Sequence, residues 1–151
     1  MKKLLYLLLL VSTFTVAQTI GKVIAIKDGD TFVLLNAKKE QITIRLAEID
    51  CPESGQAFGK NAKQFLSSLI FGKIVSCQIT TTDSYGRSIG KVYIDGSYVS
   101  EELVKNGWAW HYKKYSTSEK LASLEYEARK NKIGLWSVPG AVAPWQWRKK
   151  Y

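Results

Sequence analysis

The chain has 151 residues, a formal net charge of +9 from 22 Lys and Arg against 13 Asp and Glu, 46% hydrophobic residues and 12% aromatics. That length suits one domain with its own core and excludes two ordinary ones, and the composition excludes a disordered chain. One His and two Cys with no Cys-x-x-Cys argue against a zinc site, while the positive charge favours an acidic partner: nucleic acid, an anionic membrane surface or an acidic polymer.

Lys2-Lys3 followed by LLYLLLLVSTFTV reads as the charged and apolar parts of an export signal, with Thr15-Val16-Ala17 as the cleavage site. The apolar run is shorter than the ~20 residues a membrane span needs. The mature chain is then expected to start near Gln18 and to work in a periplasm or outside the cell. An oxidising compartment permits a disulfide between Cys51 and Cys77, and the count of two does not require one.

Gly21–Ile26 and Thr31–Leu35 are β-branched apolar runs separated by Lys27-Asp28-Gly29-Asp30, a turn signal, and Gln41–Leu46 continues in period 2. Phe58, Ala62, Phe65 and Leu69 then fall on one face of a helix ending near Gly72. Lys73–Thr80 and Ser88–Ile94 return to strand character on either side of a polar turn at 82–87, and Asp95-Gly96 marks a further turn. A short helix is expected after Ser100, with Glu101 and Glu102 in its first turn and Asn106-Gly107 closing it. Ser116 and Glu119 have capping-box spacing for a third helix, whose apolar line includes Leu121, Leu124 and Ala128. These elements predict a mainly β, α+β fold: an OB-type five-stranded Greek-key barrel with three α-helices. The expected layout is a signal peptide at 1–17, the barrel domain at 18–138, and a basic aromatic tail at 139–151 that includes PWQWRKKY.

The acids of the first half are unusually close together for a basic chain. Asp28-Gly29-Asp30-Thr31 puts two carboxylates on a tight turn, which read alone is an ordinary hairpin. In Ile44–Glu53, IRLAEIDCPE, Pro52 fixes its own φ and biases Cys51 toward an extended backbone, so Asp50 and Glu53 lie on a stiff corner. Asp30, Asp50 and one carbonyl of that corner would give a hard cation an incomplete oxygen shell, leaving positions for water and a phosphate oxygen. Arg45 and Arg87 are suited to pairing two phosphate oxygens each. Strict strand alternation would put Arg45 and Asp50 on opposite faces, so a shared site requires a bulge or bend between them.

With Asp-Gly-Asp-Thr, then Arg45 five residues before Asp50-x-Pro52-Glu53, then Tyr85-Gly86-Arg87, the sequence resembles the staphylococcal nuclease family from about Ile20 to Trp136. Asp95-Gly96, Leu103-Val104 with Gly107, and Gly134-Leu135-Trp136 fit the same pattern. The resemblance implies a secreted Ca²⁺-dependent phosphodiesterase that cuts DNA and RNA, endo- or exonucleolytically, to leave 3′-phosphate ends. It also implies roles: Asp30, Asp50 and the main-chain carbonyl of Cys51 as calcium ligands, Glu53 activating or positioning water, Arg45 and Arg87 as phosphate clamps, and Tyr85 and Tyr115 contacting substrate. The family often has Thr at the place of Cys51, and the loop after the Pro-x-Glu corner is shorter here. A monomer is expected, with Lys60, Lys63, Lys105, Lys113 and Lys114 drawing in the polyanion. The alternatives are a non-catalytic OB-fold nucleic-acid-binding module and a cationic membrane-active protein.

Overall fold

The period-2 runs form strands close to where the sequence places them. The structure is a computed structural model that describes residues 18–150; the expected signal peptide at 1–17 lies outside the described residues. Strands β1 (Gln18–Ile26), β2 (Thr31–Asn36) and β3 (Gln41–Leu46) make an antiparallel meander. The first turn is tied by Lys27 N–H and Asp28 N–H, which donate to the Thr31 carbonyl at 2.8 and 3.3 Å. The second is tied by Asn36 Oδ1, which accepts from Lys38 and Glu40 N–H, both at 2.9 Å.

After β4 (Ile49–Asp50) and α1 (Gly59–Ile70), strands β5 (Ile74–Thr82) and β6 (Ser88–Ile94) form a hairpin, with β5 antiparallel to β1. The sheet order β3-β2-β1-β5-β6 closes on itself because β6 also pairs with β3, in parallel. Register shifts at Val23/Ala25 and Ile79/Thr81 supply the local bending and twist that closure requires. This is the five-stranded barrel expected from the sequence. In the closing pair Ser88 stands opposite Ile44 and Ile89 opposite Arg45, so the turn carrying Arg87 is brought to the end of β3.

Val23, Phe32, Leu34, Ile44, Leu46, Val75, Cys77 and Val92 are buried in one cluster with Ala62, Leu66 and Ile70 of α1. Each such aliphatic or aromatic side chain contributes about 1.5–3 kcal/mol through loss of water contact. Gly59, Ala62, Leu66 and Ile70 are the fully buried line of α1, with Phe65 and Leu69 beside it. A two-residue strand, β7 (Ser97–Tyr98), pairs with β6 and leads into α2 (Val99–Lys105), whose Val99, Leu103 and Val104 join the core. Then come β8 (Trp110–His111), paired with β4, and α3 (Glu119–Lys130).

Several boundaries differ from expectation. Ser100 lies inside α2, donating to the Ala47 carbonyl at 3.0 Å, and Tyr98 holds the cap position. The cap of α3 is Ser118, which accepts from Leu121 N–H at 3.2 Å, not Ser116. Ser116 accepts from Ser118 N–H and donates to Glu48, a tertiary use that spacing does not reveal. The tail also gains a fourth α-helix beyond the three expected, the single turn α4 (Pro144–Trp147), after a 3₁₀ turn at Gly134–Ser137. A second small core docks it: Trp110, Leu135 and Ala143, with Phe58, Trp136 and Trp145 packed around them. Cys51 and Cys77 are both buried and free, and burial pushes the Cys77 thiol up to about 12.

Candidate active site

The Asp28–Thr31 turn is a built cradle. Asp28 Oδ1 accepts from Asp30 N–H at 3.0 Å, and Thr31 Oγ1 donates to Asp30 Oδ1 at 3.0 Å. Gly29 is needed because a Cβ there would sit 2.7 Å from that of Cys51 and 2.8 Å from that of Ala62. The close approach lets Cys51 N–H donate to Asp30 Oδ2 at 3.0 Å and Cys51 Sγ to the Gly29 carbonyl at 3.2 Å. The turn and the Asp50-Cys51-Pro52 corner are thereby locked together.

The bend that the sequence requires between Arg45 and Asp50 is present. Residues 47 and 48 leave β3 before β4 begins, and Glu48 adopts a left-handed backbone with φ 70°. The chain reverses facing, and Arg45 Nη2 reaches Asp50 Oδ1 at 2.9 Å and Asp30 Oδ2 at 3.6 Å. Arg45 also donates to the Leu46 carbonyl at 3.1 Å. Burial works to lower the Arg45 pKa, but Asp30 and Asp50 outweigh it and raise it, so the guanidinium stays charged.

Arg87 is held differently. Asp83 accepts from the backbone N–H of Tyr85 and of Arg87 through Oδ1, both at 3.0 Å, and from Arg87 Nε through Oδ2 at 2.8 Å. Arg87 Nη1 points at Thr31 Oγ1, 3.5 Å away, so Thr31 links this guanidinium to Asp30. Glu53, on the far side of the corner, keeps 40% of its side chain exposed. Tyr85 and Tyr115 stand at the rim, 84% and 65% exposed, Tyr85 beneath the Arg87 guanidinium and Tyr115 against Lys114. Asp30, Arg45, Asp50, Glu53, Arg87 and the rings of Tyr85 and Tyr115 border one cleft of about 930 Å³. None of the five expected lysines lines that cleft: Lys113 and Lys114 line a second depression that shares Tyr112 with it, and Lys60 and Lys63 line a third on α1.

Two groups in or near the acid cluster were not marked as site residues by the sequence. Glu48 is occupied elsewhere: Tyr98 donates to it at 2.8 Å, Ser116 at 3.0 Å, and Lys91 pairs with it at 3.1 Å. Arg148, from the tail, enters the centre of the cleft, with Nη2 2.8 Å from Asp50 Oδ2 and Nη1 2.6 Å from Glu53 Oε1. Only its basic, Trp-flanked setting in PWQWRKKY hinted at a role, and nothing local gives its reach back over nearly a hundred residues.

Two of the acids hold their protons more tightly than a free carboxylate does, chiefly because they are buried. Burial, and then the Asp30 charge, push Asp28 up to about 6. Burial likewise raises Asp50, which is 2% exposed, even though Arg148 and Arg45 pull it the other way. Among the described residues no three His, Cys, Asp or Glu side chains are grouped to hold a metal ion by themselves. Yet Asp30 and Asp50 converge on one guanidinium and Asp50 and Glu53 on another, which is the hard, anionic oxygen chemistry that suits a hard divalent cation.

A family model described as staphylococcal nuclease homologue matches residues 43–138. The chain is 41% identical over 153 aligned positions to the micrococcal nuclease of Shigella flexneri, covering 93% of this chain and 87% of that protein. It is 39% identical to an uncharacterized endonuclease of Escherichia coli O157:H7, covering 99% of both. A staphylococcal-like nuclease of Arabidopsis thaliana is 41% identical over 110 positions, 73% of this chain and 34% of the plant protein. A closed five-stranded barrel, a family model matching residues 43–138 and alignment over nearly the whole chain with a protein named as a nuclease and another named as an endonuclease agree: the chain belongs to the staphylococcal nuclease family.

Proposed function

We propose that this protein is a calcium-dependent nuclease, exported and monomeric, that hydrolyses phosphodiester bonds of DNA and RNA and leaves 3′-phosphate ends. One observation carries the reading: Asp30, Asp50 and Glu53 border the same cleft as Arg45 and Arg87, although they come from three separate stretches of the chain, the turn at 28–31, the segment 45–53 and the turn at 82–87. Asp30, Asp50 and the main-chain carbonyl of Cys51 would hold the ion. When bound, it would polarise a non-bridging phosphoryl oxygen and provide a coordination position for water.

The chain's own groups do the rest. Glu53 is accessible enough to orient a water molecule and to accept its proton as the oxygen attacks phosphorus in line with the departing 5′-oxygen. Arg45 and Arg87 carry fixed positive charge toward the extra negative charge of the five-coordinate transition state. A guanidinium is a poor proton donor, so both act electrostatically. Their anchoring by Asp50 and Asp83 keeps reorganisation small when that charge appears. Tyr85 and Tyr115 offer exposed rings beside the cleft for contact with the nucleotide.

The test is nicking of supercoiled plasmid and cleavage of single-stranded RNA with calcium, with magnesium and with a chelator. Calcium-dependent cleavage giving 3′-phosphate ends is expected. Binding of nucleic acid without cleavage under every condition would replace the enzyme reading with a non-catalytic OB-fold module.

A further inference from the structure

The C-terminal arm does more than cover the barrel. Trp145 lies flat against Tyr112, with ring centroids 5.0 Å apart and planes 4° from parallel, and meets Trp110 edge-on at 5.6 Å. Gln56 fastens the arm from the other side: its Nε2 donates to the Val142 carbonyl, while its Oε1 accepts from Glu53 N–H at 3.2 Å. The arm therefore grips the same corner that carries Asp50 and Glu53. Pro144 starts α4 and Arg148 ends it, its backbone N–H donating to the Pro144 carbonyl at 3.0 Å. From that fixed end the guanidinium reaches both carboxylates at once.

Arg45 and Arg148 do not compete with each other. Arg45 takes Asp50 Oδ1 and leans on Asp30, whereas Arg148 takes Asp50 Oδ2 and Glu53 Oε1 and stands 3.4 Å from Oδ1. Arg45 is nearly buried, with 13% of its side chain exposed, and belongs to the wall. Arg148 has 43% of its side chain exposed and sits on the solvent side of the same oxygens.

We propose that Arg148 is an internal cation that shares its carboxylate oxygens with the divalent ion, so that docking of its guanidinium on Asp50 and Glu53 and binding of the ion exclude each other. This rests on the proposed calcium site. A guanidinium and a divalent ion drawn to the same Asp50 Oδ2 repel each other, and linkage then makes the antagonism reciprocal: the arm weakens ion binding, and the ion weakens the docking of the guanidinium. Arg148 is thus a positioning residue. It holds Glu53 only while the ion is absent, and it sets the ion concentration at which the site fills.

Calcium titration calorimetry on the full chain tests this, using wild type, Arg148→Gln, Arg148→Lys and Lys149→Gln. Lys149 is the exposed neighbouring charge and controls for a general loss of positive field. Arg148→Gln is expected to bind calcium on the order of tenfold more tightly than wild type, with Arg148→Lys between the two and Lys149→Gln close to wild type. The thermal midpoint of Arg148→Gln should fall in chelator and recover with calcium. Equal or weaker calcium binding by Arg148→Gln, or the same gain in Lys149→Gln, overturns the role of Arg148 and leaves the nuclease reading intact. A wild-type chain that takes up neither calcium, magnesium nor manganese overturns both. Should Arg148→Gln fail to fold, the order of wild type and Arg148→Lys decides.

Discussion

The barrel and the C-terminal arm both deliver charge to one cleft, by opposite means. On the barrel side, Asp30, Arg45 and Arg87 are placed by ladder register: Thr31 pairs with Arg45 across β2 and β3, and the parallel β3–β6 closure brings in the 82–87 turn. A ladder fixes each residue through many backbone hydrogen bonds, so these groups have little freedom. On the arm side, Arg148 is placed by ring packing at Tyr112 and Trp110, one turn of helix and one glutamine. The first arrangement suits groups that must meet a transition state with fixed geometry. The second suits a group that has to move.

The largest expected effect lies on the barrel side. Arg87→Ala should lower turnover by about 10²–10³, the usual result of removing one preorganised charge donor, while thermal stability changes little because the guanidinium meets Asp83, Thr31 and the exposed Tyr85 ring at the surface of the cleft. Plasmid cleavage rates beside a melting curve decide it; wild-type turnover would take Arg87 out of the site. The arm should respond in the other order. Trp145→Ala removes two ring contacts and should cost about 1–3 kcal/mol of stability, seen in urea melts, and should tighten calcium binding in the same direction as Arg148→Gln. A loss of stability with unchanged calcium affinity would separate the arm's docking from the position of Arg148.

The smallest effect lies at the seam between the two regions. His111 on β8 is 3% exposed, with Nε2 3.0 Å from Ser116 Oγ, and burial lowers its pKa below the ordinary 6.5. The unfolded chain therefore takes up the proton first. The stability that His111 provides is complete above about pH 6.5 and is lost as pH falls below it. Thermal midpoints from pH 7.5 to 5.5 should drop more steeply in wild type than in His111→Gln; parallel slopes would remove His111 as the cause.

Much of the site is legible in the sequence because its parts are local. Asp28-Gly29-Asp30-Thr31 reads as a tight acidic turn from its residue types, and the structure adds that Gly29 permits the close approach to Cys51. The conflict of facing between Arg45 and Asp50 required a break, and the left-handed backbone at Glu48 provides it. Other features are not legible there. Ser116 has capping-box spacing but bonds Glu48 across 68 residues, leaving the cap to Ser118. The pairing of Arg148 with Glu53 spans 95 residues and depends on where the second aromatic core sets the arm.

By itself the sequence determined the five strands of the barrel, the helix α1 and the turn acids. All of these come from periodicity, backbone stiffness and spacing within about ten residues. The tertiary structure alone decided which charges face one another: that β6 closes on β3 and so brings Arg87 toward Asp30, that Glu48 is spent on Lys91, Tyr98 and Ser116, and that a tail without periodicity carries Arg148 into the acids. The reason is physical: local pattern fixes the direction of a side chain relative to its own backbone, whereas its partner is chosen by how the closed barrel and the arm pack.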